Sequence, residues 1–195
     1  MLVDILMRQN REIKAIISPD DITSRSVFND IEHLKSDDDI LRFSPASIEL
    51  VNAIGTAPRS TLRRRINEQY LKRGYRFAKV ISDYAYISEH ACIHDGVQIL
   101  THAVVHPGAV IGVHSIINTG AIIEHDCFIG AYNFIAPRAT ICGQVKTGEN
   151  VFIGASATII PNLSIGNDAI VTAGSVLVST LDSGKVCYPC KTVIK

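Results

Sequence analysis

The sequence predicts a small α/β unit followed by a parallel β-helix, and three observations carry that prediction. From Ile81 an aliphatic residue recurs every six positions without an insertion, through Ile87, Ile93, Ile99 and onward to Val171 and Leu177, and only Thr147 breaks the series. Four residues after each sits a small or aliphatic partner (Ala85, Ala91, Val97, Ala103, Ala109), with Asn133 the one poor fit. Residues 1–78 lack this period and alternate strand-like and helix-like patterns instead. A sustained six-residue period is the pattern of a parallel β-helix, whose short strands stack flat faces around a prism of aliphatic side chains.

Taken in order, LVDILMRQ reads as the remains of a helix and EIKAIIS as a buried strand. SIELVNAIG reads as a second strand, and TLRRRINEQYLKRG as an amphipathic helix that ends at Gly74. Strand, loop, strand and helix suggest a small parallel sheet of the nucleotide-binding, Rossmann-like kind; residues 19–48 carry little turn punctuation. The expected organisation is therefore an α/β unit over 1–78, a β-helix over 79–180 and a C-terminal cap over 181–195, where LDSGKVCYPCKTVIK loses the period. With three strands per coil, eighteen residues close one circuit, so residues eighteen apart become neighbours about 4.8 Å apart along the axis. The stretch from Ile81 to Leu177 makes a little over five coils.

Composition narrows the function classes. A chain of 195 residues with 47% hydrophobic content is long enough to bury a sizeable core. Nineteen basic against nineteen acidic residues, with no basic run, argue against a nucleic acid or an acidic membrane as partner. No window holds about eighteen uncharged apolar residues, and the start MLVDILMRQNRE lacks the features of a signal peptide, so a cytoplasmic protein is expected. Five cysteines, with Cys92, Cys127 and Cys142 inside repeats, fit reduced and packed thiols better than a disulfide framework.

Residues 118–178 (NTGAIIEHDCFIGAYNFIAPRATICGQVKTGENVFIGASATIIPNLSIGNDAIVTAGSVLVS without its final serine) are similar to the hexapeptide-repeat acyltransferases. Within them the segment IIEHDC, with the preceding LVNAIG and its arginine-rich helix, resembles the subgroup that acetylates nucleotide-linked 4-amino-6-deoxysugars and the related sialic acid O-acetyltransferases. The resemblance implies a left-handed β-helix, acetyl-CoA as co-substrate, no metal, and a homotrimer with active sites between neighbouring helices. It implies an N-acetyltransferase of surface-glycan biosynthesis, the alternatives being a sugar O-acetyltransferase or a non-catalytic binding module.

The same resemblance supplies candidate residues. His125 matches the subgroup's catalytic histidine and is followed by an acid, Asp126. Acetyl transfer to an amine needs a base because the attacking nitrogen must lose a proton, and histidine titrates near neutrality. Asp126 is placed to fix the imidazole tautomer and to stabilise the imidazolium. Gly143, eighteen residues on, is expected one coil above His125, where its N–H would meet the negative charge developing on the thioester oxygen. Ala155 and Ala173, also eighteen apart, match positions along the coenzyme A arm; Asn118 and Thr119 match residues facing the acceptor. Asp20 and Gly55 follow the two predicted strands, where a nucleotide-binding sheet places its ligand, and Arg63 corresponds to the arginine that opens the next helix in relatives, a candidate to meet phosphate.

Three departures stand out. The chain starts in what reads as the helix after the relatives' glycine-rich turn; Phe134 stands where close relatives carry a second histidine; and the tail reads VCYPCK. Cys187 and Cys190 form a single CxxC without a second pair, a weak signal for zinc. The γ-class carbonic anhydrases share the β-helix with a three-histidine zinc site, but the six histidines of this repeat lack the five-residue pair spacing of that family.

Overall fold

The computed structural model describes residues 1–189. From Val80 onward every six-residue step is one two-residue strand and one turn. The strands stack into three parallel sheets of seven, six and five strands, visited in rotation. Register is eighteen residues from Val80 to Leu177: Val110 pairs with Cys92 below and Phe128 above, and Ile117 lies between Ile99 and Ile135. The chain thus forms a three-sided parallel β-helix. The second residue of each strand points inward, and Ile99, Ile111, Ile117, Ile123, Ile129, Ile135 and Ile141 are fully buried. Burying one such side chain contributes roughly 1.5–3 kcal/mol, and stacking identical branched residues at one height leaves no void between coils.

The two exceptions in the sequence pattern satisfy each other. Asn133 Nδ2 donates to Thr147 Oγ1 and, at 3.0 Å, to the carbonyl of Gly148. Thr147 Oγ1 also accepts from the N–H of Gly130, while Asn133 Oδ1 accepts from the N–H of Val151. Ser115 Oγ completes the knot, donating to the Gly130 carbonyl at 2.8 Å and accepting from the N–H of Asn133 at 2.9 Å. All three polar side chains are buried and none is left unpaired, as burial requires.

Before the coils, helix α1 (Leu2–Arg8) lays Ile5 and Leu6 on Val80 and Leu100 of the first coil. Strand β1 (Ile16–Ile17) pairs in parallel with β2 (His33–Leu34), and β3 (Glu49–Leu50) with β4 (Arg76–Phe77). Helix α2 (Leu62–Lys72) precedes β4 and is followed by Gly74 at φ 87°, a conformation suited to glycine. The predicted helices and strands are present, but the described strands make two separate two-stranded sheets rather than the one Rossmann-like sheet expected. The physical reason lies in β3 and β4: Gln98 of the seven-stranded face donates to the Asn52 carbonyl at 2.7 Å, and Phe77 meets His114 edge-on at 5.2 Å. The second pair of strands is bound to the side of the prism. Their inner faces share a core with α2 through Tyr70, Tyr75, Leu50 and Ile66.

The thiols differ from expectation in one place. Cys127 is buried, and burial pushes its thiol up to about 11, but Cys92 is exposed on the outer side of the five-stranded face. Cys92 takes the first position of its strand, which points out of the prism. After Leu177 the chain continues the stack with a bridge from Leu181 to Ile165 and a strand Val186–Cys187 on Ile170–Val171. Cys190, and with it the end of the expected cap, lies outside the described residues.

Candidate active site

Each edge of the prism is a two-residue turn whose second residue is left-handed: Asp126 at φ 58°, Arg138 at 60° and Gln144 at 63°. The N–H of the first turn residue stands outside the ladder of coil-to-coil backbone bonds while its carbonyl accepts from the coil above, so Pro107, Pro137 and Pro161 occupy the position without losing a donor. His125 and Gly143 hold that same first position on the edge between the six- and five-stranded faces, one coil apart. Among the described residues the N–H of Gly143 has no backbone acceptor.

The geometry at this edge is specific. His125 Nδ1 lies 2.9 Å from Asp126 Oδ2, both side chains being more than half exposed. A carboxylate only accepts, so Nδ1 donates and the neutral imidazole keeps a free lone pair on Nε2. That Nε2 sits under Gly143: a Cβ added there would fall 2.5 Å from Nε2 and 2.7 Å from Cε1. No residue but glycine fits over this imidazole, and the coil is tied at the same place by Gln144 N–H donating to the His125 carbonyl at 3.0 Å. His125 Nε2 therefore lies beside a residue whose N–H has no backbone acceptor among the described residues. Beside them, His106 Nε2 lies 3.8 Å from Glu124 Oε1, a pair the sequence reading did not single out although the two residues are also eighteen apart.

The remaining candidates lie elsewhere. Ala155 and Ala173 are exposed and stacked on a different edge, between the seven- and six-stranded faces. Thr119 shares that edge with them, and Asn118, just before it, turns its Oδ1 back to the N–H of Thr119 at 2.8 Å. A full side of the prism, on the order of 15 Å of extended chain, separates this edge from His125. Phe134 stacks on Phe152 on the outside of the seven-stranded face, 5.2 Å between rings and 15° from parallel. Asp20 and Gly55 are exposed in loops after β1 and β3, which belong to different sheets. Arg63 corrects the expectation of a phosphate contact. Its side chain turns inward, NH1 donating to the Asn52 carbonyl at 2.6 Å and the Ile54 carbonyl at 3.3 Å, and burial lowers it to about 10. A guanidinium committed to backbone carbonyls is not offered to a ligand. Among the described residues no group of three His, Cys, Asp or Glu side chains is spaced to hold a metal ion.

Residues 144–179 match the bacterial transferase hexapeptide (six repeats) family. Those residues carry the hexapeptide repeat of that family. Among curated proteins no sequence matches the chain. Solved structures resemble the chain over nearly its whole length. It is 27% identical, with a TM-score of 0.84, to a mutant perosamine N-acetyltransferase from Caulobacter crescentus in complex with CoA and GDP-perosamine, over 95% of this chain and 86% of that one. It is 26% identical, with a TM-score of 0.85, to the acetyltransferase domain of PglB from Neisseria gonorrhoeae in complex with acetyl coenzyme A, over 98% of this chain and 92% of that one. WeeI from Acinetobacter baumannii shares the fold at 24% identity, a TM-score of 0.74, and 95% and 89% coverage.

Proposed function

We propose that this chain is a hexapeptide-repeat transferase that moves an acetyl group from acetyl-CoA to the amino group of a nucleotide-linked 4-amino-6-deoxysugar, in the cytoplasm, as a step of bacterial surface-glycan biosynthesis. One observation carries the reading: the stack of Asp126, His125 and Gly143, in which a carboxylate-oriented imidazole and an uncommitted backbone N–H meet at one edge. The likeness to acetyltransferases solved with CoA, acetyl coenzyme A and GDP-perosamine supports the substrates. In this reading the coil is left-handed.

The chemistry follows from the residues. The sugar amine attacks the thioester carbonyl; a C–N bond forms, the carbonyl oxygen gains negative charge, and the N–H of Gly143 meets it. Nε2 of His125 takes the proton the nitrogen must lose, and Asp126 stabilises the resulting imidazolium. The tetrahedral species then expels the thiol, leaving an amide and coenzyme A, with the proton returning to sulfur. No covalent enzyme intermediate is involved.

The coenzyme A arm runs along Ala155 and Ala173, whose short side chains leave that edge open, while Asn118 and Thr119 face the acceptor. Because these residues occupy a different edge from His125, the complete site takes one edge from each of two protomers, and the active form is a homotrimer. Residues 1–78 hold the nucleotide sugar, with Asp20 and Gly55 at the loops after β1 and β3.

The test is direct. Purified protein is incubated with acetyl-CoA and each of the UDP-, dTDP- and GDP-linked 4-amino-6-deoxysugars, following free thiol and the mass of the sugar nucleotide. Thiol release matched by an acetylated product in at least one arm is expected; no release in any arm refutes the activity.

A further inference from the structure

The Asp126 carboxylate is held from below as well as from the side. Eighteen residues before it, on the same edge, lies Gly108 at φ 74°. A Cβ added to Gly108 would overlap Asp126 Oδ1 and come within 3.3 Å of Cγ. One carboxylate oxygen thus rests over the bare corner while the other, Oδ2, reaches Nδ1 of His125 at 2.9 Å. The backbone alone does not require glycine at this position. The stacked residues above it on the same edge, Asp126, Gln144 and Asn162, take φ values of 58°, 63° and 64° with full side chains. Nor does every such corner glycine seat a neighbour: a Cβ at Gly120 would make an ordinary 3.6 Å contact with Arg138 Cγ. As Gly96 does for the ring of His114, Gly108 leaves space that a neighbouring side chain fills, here the Asp126 carboxylate.

We propose that Gly108 is a positioning residue of the transfer site: its missing side chain seats the Asp126 carboxylate so that Oδ2 stays on Nδ1 of His125. The inference rests on His125 being the base. With a methyl group at 108, Oδ1 must move. Asp126 is 59% exposed, so its carboxylate swings into solvent at little cost and leaves the imidazole unoriented while the coil stays folded.

Four variants test this: Gly108→Ala, Asp126→Asn, the pair together, and Gly184→Ala. The last controls for alanine in a left-handed turn, since Gly184 has φ 69° and open space around it. The expected result is a fall in kcat of at least about tenfold for Gly108→Ala with KM for acetyl-CoA within twofold, and a double variant no slower than Asp126→Asn alone. Thermal stability should fall no further than in Gly184→Ala. A crystal structure of Gly108→Ala should have lost the 2.9 Å contact, and Gly108→Asn, a residue type that stands in this turn position at Asn150 and Asn162, serves if the alanine variant does not fold. Wild-type kcat in Gly108→Ala or in Asp126→Asn, or losses that multiply in the pair, overturn the proposal. A His125→Ala variant separates the two readings. If it is inactive while Gly108→Ala is normal, only Gly108's role fails; if it is fully active, the base assignment fails.

Discussion

His125 is oriented at Nδ1 by a carboxylate that can only accept, which leaves Nε2 for its proposed role as base. Changing it to alanine removes the base while leaving the Ala155 and Ala173 edge untouched. Turnover should fall at least about a hundredfold, with coenzyme A affinity by calorimetry within twofold; unchanged turnover would remove the base assignment. The pairing of His125 with Gly143 was legible in the sequence because eighteen residues make a circuit. The same arithmetic separates Ala155 from Gly143 by twelve, which already puts the two on different edges. Side-chain direction was not legible. Arg63 turns inward because Asn52 and Ile54 present carbonyls to it, and no spacing rule reports that.

At the scale of elements, the coils were readable from the isoleucine series alone, and even its flaws had a reason that only coordinates supply. Thr147 and Asn133, fourteen residues apart, answer one another inside the prism. Thr147→Val keeps the volume but removes the acceptor of one Asn133 Nδ2 hydrogen and of the N–H of Gly130, which should cost about 1–3 kcal/mol and lower Tm in a thermal melt, whereas Thr147→Ser should hold Tm near wild type. The sheets of residues 1–78 were less legible because no repeat fixes their register, and the β3–β4 pair takes its place from contacts with the prism. His114 belongs to one such contact, stacked on Tyr132 at 5.0 Å between rings and edge-on to Phe77. Burial, aided by the Arg63 charge, lowers it to about 4 from an ordinary 6.5, with Asp95 opposing. The unfolded chain therefore binds a proton between those values that the folded chain refuses, and stability should fall as pH drops from about 6.5 through 4. His114→Asn, which suits the left-handed turn at φ 59°, should flatten the fall of Tm across that window.

For the whole molecule, the division of the proposed site between two edges makes a prediction that no single-chain enzyme would satisfy. His125→Ala and Ala155→Trp should each be inactive as homotrimers. Co-refolded in equal amounts, they should recover roughly a quarter of wild-type activity, because in a ring each site draws its base and its coenzyme A edge from different neighbours. A monomer by light scattering, or no recovery on mixing, would place the site within one chain. Among the described residues no helix is long and apolar enough to cross a membrane.

The unbroken register of the coils also limits how such a chain can change. Dropping one residue from the coils would turn the later isoleucines of the series out of the prism, and dropping one between His125 and Gly143 would also carry Gly143 off His125. Loss or gain of a whole eighteen-residue circuit beyond Gly143 would leave both in place. Length in this architecture is quantised, and the chemistry is indifferent to how many storeys stand above it.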